Sequence, residues 1–126
     1  MKILAIDYGL KKIGLAIGDT ITKFSFPRGV VPAAEAVGLI IKLIKEEEIN
    51  MVLVGEPLNL QGQATRQTAA TAEFAARLRQ AINKPIELAD ERLTTQRALT
   101  ARHSGSTLKD DELAAMYLLQ DYLDAI

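Results

Sequence analysis

The sequence predicts an α/β domain with one mixed sheet, three antiparallel strands followed by two parallel ones, and helices on both faces. Three observations carry this. The first third alternates short apolar runs with glycine-bearing turns. After Pro32 the hydrophobic period changes from that of a strand to that of a helix. From there strand-like and helix-like segments alternate, the pattern of parallel strands joined by right-handed crossovers.

The elements follow in order. Residues 2–7 form a buried strand, and Asp7-Tyr8-Gly9-Leu10-Lys11-Lys12 is a turn with a glycine and two cations. Residues 13–19 pair back as a second strand. Residues 23–31 form a third, in which Pro27 requires an edge position or a bulge because it lacks an N–H. Ala36, Val37, Ile40, Ile41 and Ile44 fall at helical spacing, and Glu46-Glu47-Glu48 trails into solvent. Residues 51–55 are continuously apolar, as in a strand covered on both faces. Residues 57–62 are a loop. Alanine-rich residues 64–82, with Phe74, Leu78 and Ile82, form a long helix that Lys84-Pro85 stops. Residues 86–89 are a strand, 94–103 a helix, 104–106 a break and 110–125 a final helix. The sum is a five-stranded sheet in the layout of the ribonuclease H-like fold, as one domain over residues 1–126, without internal repeat or linker.

Composition narrows the chemistry. There is no cysteine, so disulfides, a thiol nucleophile and cysteine metal sites are excluded. A net charge of −1 argues against a dedicated nucleic-acid coating protein, which would be basic. It leaves room for a nuclease, because acidic site residues lower the total while the local field governs binding. The N-terminus lacks the apolar stretch and cleavage site of a signal peptide, and no run reaches the length of a membrane span. A cytoplasmic protein without membrane partners is expected.

Three acidic stations stand at element ends. Asp7 closes the first strand, where a carboxylate points at the sheet edge that binds ligands in α/β proteins; the plain alternative is a turn aspartate bonding its own backbone. Gly9 lets the backbone of that turn approach a phosphate. Gly14 and Gly18, inside the second strand, suggest bulging or close packing beside the site. Asp90-Glu91-Arg92-Leu93-Thr94-Thr95 joins a strand to a helix that Thr94 or Thr95 caps. Asp90 and Glu91 point in different directions, so one of them is the ligand. Asp110-Asp111 opens the last helix, where the dipole favours acidic residues in any case; Asp111 is followed by Ala114 and Ala115, which let that helix approach the sheet. Glu56 lies at the end of the fourth strand and could add a further carboxylate, as could Asp90 or Asp110. Asn59 and Gln61 in the loop could contact nucleic-acid backbone or a base. Lys11, Lys12, Arg92, Arg97 and Arg102 could rim an acidic centre. Arg66 and Arg77 read as solvated. His103, the one histidine, reads as a helix C-terminal residue. Convergent carboxylates of this kind are tolerable only around a hard divalent cation, Mg²⁺ or Mn²⁺, and such a site suits phosphodiester hydrolysis.

These residues resemble the YqgF (RuvX) family. The matching segments are Ile6-Asp7-Tyr8-Gly9 through Ile13-Gly14-Leu15-Ala16, Val54-Gly55-Glu56-Pro57-Leu58-Asn59, Asp90-Glu91-Arg92-Leu93-Thr94-Thr95, and Asp111-Glu112-Leu113-Ala114-Ala115 through Leu118-Leu119-Gln120. Members are described as pre-16S rRNA nucleases and, earlier, as Holliday junction resolvases, similar in fold to ribonuclease H and the RuvC resolvase. The resemblance implies an acidic site at Asp7, Glu91 and Asp111. The chain departs from the family at Lys11-Lys12, where Lys-Arg is frequent, at Glu56, where an apolar residue is usual, and in the short segment between Thr95 and Asp110.

The implied mechanism is two-metal hydrolysis, with Asp7 bridging two ions and Glu91 and Asp111 each completing one coordination sphere. Gly9, Lys11, Lys12, Asn59, Arg92 and Thr94 would contact substrate, a precursor ribosomal RNA or, alternatively, branched DNA. A junction enzyme should be a two-fold dimer, so monomer against homodimer separates the two substrates. Two other classes remain open from sequence: a nucleotide-binding module, which would need a second such domain, and a non-catalytic RNA-binding assembly factor.

Overall fold

A computed structural model describes residues 1–56, 65–90 and 110–126, with residues 110–112 described as backbone only. The strands are β1 (Lys2–Asp7), β2 (Lys12–Asp19), β3 (Ser25–Pro32), β4 (Met51–Glu56) and β5 (Ile86–Asp90). The helices are α1 (Ala36–Glu46), α2 (Arg66–Ala81) and α3 (Asp110–Ala125), and a 3-10 turn at Ala33–Glu35 leads into α1. The sheet order is β3-β2-β1-β4-β5. β1, β2 and β3 pair antiparallel, while β4 pairs parallel to β1 and β5 parallel to β4. This is the mixed sheet that the sequence predicts. Pro27 meets both of its conditions, since β3 is an edge strand and the β2–β3 register shifts between Gly14 and Ala16.

Side-chain alternation divides the sheet into two cores. Leu4, Ile6, Ile13, Leu15, Val52 and Val54 face α1 and α2, where Ile40, Ile44, Phe74 and Leu78 meet them. Ile3, Ala5, Ala16, Met51 and Leu53 face α3 through Ala115, Leu118, Leu119 and Leu123. β1 and β4 are buried on both faces and so read as unbroken apolar runs. β5 is an edge strand, half exposed, and its residues alternate between the two cores.

Details of the helices differ from expectation for local reasons. The buried stripe of α1 is Ala36, Ile40, Leu43 and Ile44, with Val37 and Ile41 at its margins. Glu47 does not simply trail into solvent: its carboxylate lies 3.8 Å from Lys2 Nζ and 3.3 Å from Arg28 Nη2. α2 starts two residues later than expected because Thr65 caps it. The Thr68 N–H donates to the Thr65 hydroxyl at 3.3 Å, and the Thr65 N–H donates to the Thr68 hydroxyl at 2.9 Å. The helix expected over 94–103 lies outside the described residues.

Candidate metal and nucleic-acid site

Asp7 is the last residue of β1, the middle strand of the sheet. Its partner across the antiparallel pair is Gly14. Odd-numbered residues of β1 face α3, because Ile3 and Ala5 pack there. Asp7 therefore occupies the α3 face at the carboxyl end of the parallel strands, where ligands bind in open α/β sheets. The turn that follows is tight: a Cβ on Gly9 would run into the carbonyl oxygen of Lys12. Only glycine fits there, and the bend returns the chain into β2 with Lys11 and Lys12 exposed beside it. The Ala33 N–H donates to the Lys11 carbonyl at 2.9 Å, which fastens the turn to the start of α1.

The path of α3 brings its first turn to the same edge. Near its middle, the Ser25 hydroxyl donates to the Met116 carbonyl at 2.8 Å. Gln120 Nε2 donates to the Lys23 carbonyl at 2.8 Å, and Lys23 Nζ donates to the Ile126 carbonyl at 2.7 Å. These bonds hold α3, from its middle to its C-terminus, against the β2–β3 hairpin, at the end of the sheet where β1 begins. The helix thus runs antiparallel to β1. Leu119 lies against Gly18. From Leu119 back to Asp111 the helix covers about 12 Å at its usual rise, and from Gly18 back to Gly14 the strand covers about 13 Å. The first turn, with Asp110 and Asp111, is accordingly level with Gly14 and Asp7. Asp111 also stands four residues before Ala115 and seven before Leu118, in the stripe that packs on the sheet. The small residues expected to allow close packing do so: Gly18 has Leu119 Cδ2 at 2.9 Å and Leu123 Cδ1 at 3.0 Å from the position a Cβ would take.

The other described carboxylates lie on the opposite face. Glu56 pairs with Asp90 in the β4–β5 register. Both are in phase with Val54, which belongs to the core under α1 and α2. Glu56 and Asp90 are thus separated from Asp7 by the sheet. Among the described residues no three acidic or histidine side chains gather as a metal site. Glu91, Arg92, Thr94, Asn59, Gln61, Arg97, Arg102 and His103 lie outside the described residues, as do the side chains of Asp110 and Asp111. Arg66 and Arg77 are exposed, as expected.

One contact to the Asp7 turn has no counterpart in the sequence reading. Gln67 Nε2, on the first turn of α2, donates to the Tyr8 carbonyl at 3.0 Å. The Tyr8 ring packs on Phe74, with centroids 4.9 Å apart and planes at 33°. A polar residue in a helix's first turn carries no sequence signal for such a role.

The donor chemistry fits a hard cation. Asp7 supplies carboxylate oxygens, the first turn of α3 brings Asp110, Asp111 and Glu112 to the same edge, and the chain has no thiolate to select a softer metal. A groove of about 990 Å³ opens at the far end of the sheet, lined in part by Lys2, Asp19, Lys45, Glu48, Asn50 and Lys84, and it includes none of the acidic stations.

A family model described as "RuvX: Holliday junction resolvase" matches residues 1–125. A protein of Chloroflexus aggregans named "Putative pre-16S rRNA nuclease" is 37% identical, over 98% of this chain and 93% of its own length. A protein of the same name from Chloroflexus aurantiacus is 35% identical, over 98% of this chain and 86% of its own. Among solved structures, Thermus thermophilus RuvC in complex with Holliday junction substrate superposes with a TM-score of 0.62 at 14% identity, covering 99% of this chain and 95% of that one. At that identity the likeness is one of fold.

Proposed function

We propose, given that this chain belongs to the RuvX Holliday junction resolvase family, that its acidic edge cleaves precursor 16S ribosomal RNA in the cytoplasm. Family and relatives make the chain a nuclease, a hydrolase of phosphodiester bonds. The observation that carries the assignment of the site is the meeting of two elements: Asp7 at the end of β1, and the acidic first turn of α3 level with it.

In this reading Asp7, Glu91 and Asp111 hold one or two Mg²⁺ or Mn²⁺ ions. Glu91 is preferred over Asp90 because Asp90 lies on the face away from Asp7. Glu56 is set aside as a ligand for the same reason, and Asp110 is the alternate at the third station. Bound there, a divalent ion supplies an activated water and charge stabilisation for the departing oxygen. The chain's own part is to position. Asp7 fixes its carboxylate at the end of a strand buried on both faces. Gly9 lets the turn's backbone approach a phosphate. Lys11 and Lys12, together with Arg92, neutralise flanking phosphates, while Asn59 and Thr94 contact the strand being cut.

Branched DNA is the second reading, favoured by the family's description. It requires a two-fold dimer with two cutting centres. The deciding experiment is a cleavage assay with Mn²⁺ on precursor 16S fragments and four-way junctions side by side, with sedimentation of the same sample. RNA cleavage by a monomer supports the first reading, and paired junction cuts by a dimer replace it with the second. Asp7→Asn should remain folded and inactive. Wild-type cleavage by Asp7→Asn would remove the site altogether.

A further inference from the structure

The geometry points to Gln67 as a positioning residue that holds the Asp7 turn in its metal-binding shape from the first turn of α2. This rests on the metal-site reading of Asp7. The β1–β2 ladder ends at the Asp7–Gly14 pair. One residue beyond it, the Tyr8 carbonyl receives the Gln67 side-chain amide at 3.0 Å. The same residue is held at its other end, since the buried Tyr8 ring rests on Phe74. Tyr8 is thus fixed both through its backbone and through its ring, and both anchors come from α2. Asp7 is itself the last rung of the ladder, with this clamp on the very next residue.

Gln67 is itself well supported. Its carbonyl accepts the Thr71 hydroxyl at 2.8 Å, and the reciprocal Thr65–Thr68 cap closes the helix end it stands on. The chain of support runs from the capped end of α2 through Gln67 and Tyr8 to the Asp7 carboxylate. A metal ligand must be held to within roughly 0.5 Å of its working position, and a free turn of glycine, leucine and lysine would not do that. Gln67 touches neither substrate nor metal in this account. Its effect passes through the backbone of Tyr8.

The test is Gln67→Met, which keeps length and helix propensity and removes the donor. Two readouts are compared with wild type: amide hydrogen exchange in metal-free protein, and Mn²⁺ binding by calorimetry. Exchange at Asp7 and Gly14, the last rung of the ladder, should quicken about ten-fold while the amides of α1 and β4 keep their protection. Mn²⁺ should bind about ten-fold more weakly, the lower end of what outer partners of metal ligands contribute. A purely structural role would loosen α2 and the core together and leave Mn²⁺ affinity in proportion to the folded fraction. Unchanged exchange at Asp7 and Gly14 overturns the inference, and so does quickened exchange with wild-type Mn²⁺ affinity. Should Gln67→Met fail to fold, Gln67→Glu replaces it. That side chain loses its donor at neutral pH and regains one when protonated, near pH 4.3 for an ordinary glutamate. Exchange at Asp7 and Gly14, relative to wild type at each pH, should therefore recover on acidification, and absence of recovery counts against the clamp. Asp7→Asn, run in parallel, separates the two levels. If it binds Mn²⁺ as wild type does, the metal site itself is misplaced, whatever Gln67 does to the turn.

Discussion

Gly14 stands directly across the β1–β2 pair from Asp7, buried on the face that α3 covers. Gly14 thus puts no side chain of its own beside the carboxylate. A branched side chain there would press on Asp7 or on the first turn of α3. Gly14→Val is expected to lower Mn²⁺-dependent cleavage about a hundred-fold, the scale of a displacement of roughly 1 Å at a reacting centre. A cleavage time course beside a thermal melt checks this, because a fold that melts normally but cuts slowly is the expected result.

Gly18, four residues along the same strand, should behave oppositely. A Cβ there would meet the Phe24 carbonyl oxygen at 2.8 Å as well as Leu119 and Leu123. The backbone oxygen cannot swing aside, so α3 or the hairpin must shift. Gly18→Ala should cost about 1–3 kcal/mol of stability, as overpacking does, while cleavage well below the melting temperature stays near wild type. Urea denaturation with parallel activity measurement separates the two glycines.

Leu119 is fully buried between α3 and the sheet. Leu119→Ala should destabilise by about 2–5 kcal/mol, the range for a leucine deleted from a core that cannot close the hole. Glu47→Gln provides the contrast. Its two partners, Lys2 and Arg28, are both substantially exposed, so its loss should cost under about 1 kcal/mol and matter less still in salt. Equal effects in the two variants would contradict this division between packing and charge.

The Tyr122 phenol has its pKa raised, first by burial and then by the Glu87 carboxylate, through repulsion of the phenolate and through the hydrogen bond Glu87 accepts. Met51 Sδ, at 3.8 Å, is the weaker acceptor for the same proton. The folded state therefore keeps this proton at a pH where the unfolded chain releases it. The stabilisation is complete below the ordinary tyrosine value of 10.0 and is lost as pH rises through the higher folded value. Tyr122→Phe should remove that component, so that wild type loses stability relative to the variant as pH rises from 8 to above 10 in urea titrations.

Much of the architecture was legible in the sequence because each strand carries its own signature. β1 and β4 are apolar without a break because both their faces are covered, and Pro27 declares an edge. Leu43 escaped the α1 stripe because Val37 and Ile41 also fit helical spacing and only packing ranks them. The adjacent pair Asp90-Glu91 could not be resolved by composition. Choosing between them needs the phase of β5, and that phase is set by pairing with β4 rather than by any residue nearby. The place of Gln67 was invisible for a related reason: its partner is a main-chain oxygen far away in sequence, and backbone atoms leave no mark in a residue pattern.

The order in which the sheet's two faces are covered has a consequence for timing. The face shared by Ile3, Ala5 and Leu53 is closed by α3, the latest of the described elements to be made. A growing chain thus carries β1 well before it has the helix that covers this face. Until that helix docks, the growing chain exposes these apolar side chains to water, so the fold is complete only when its C-terminal helix is made.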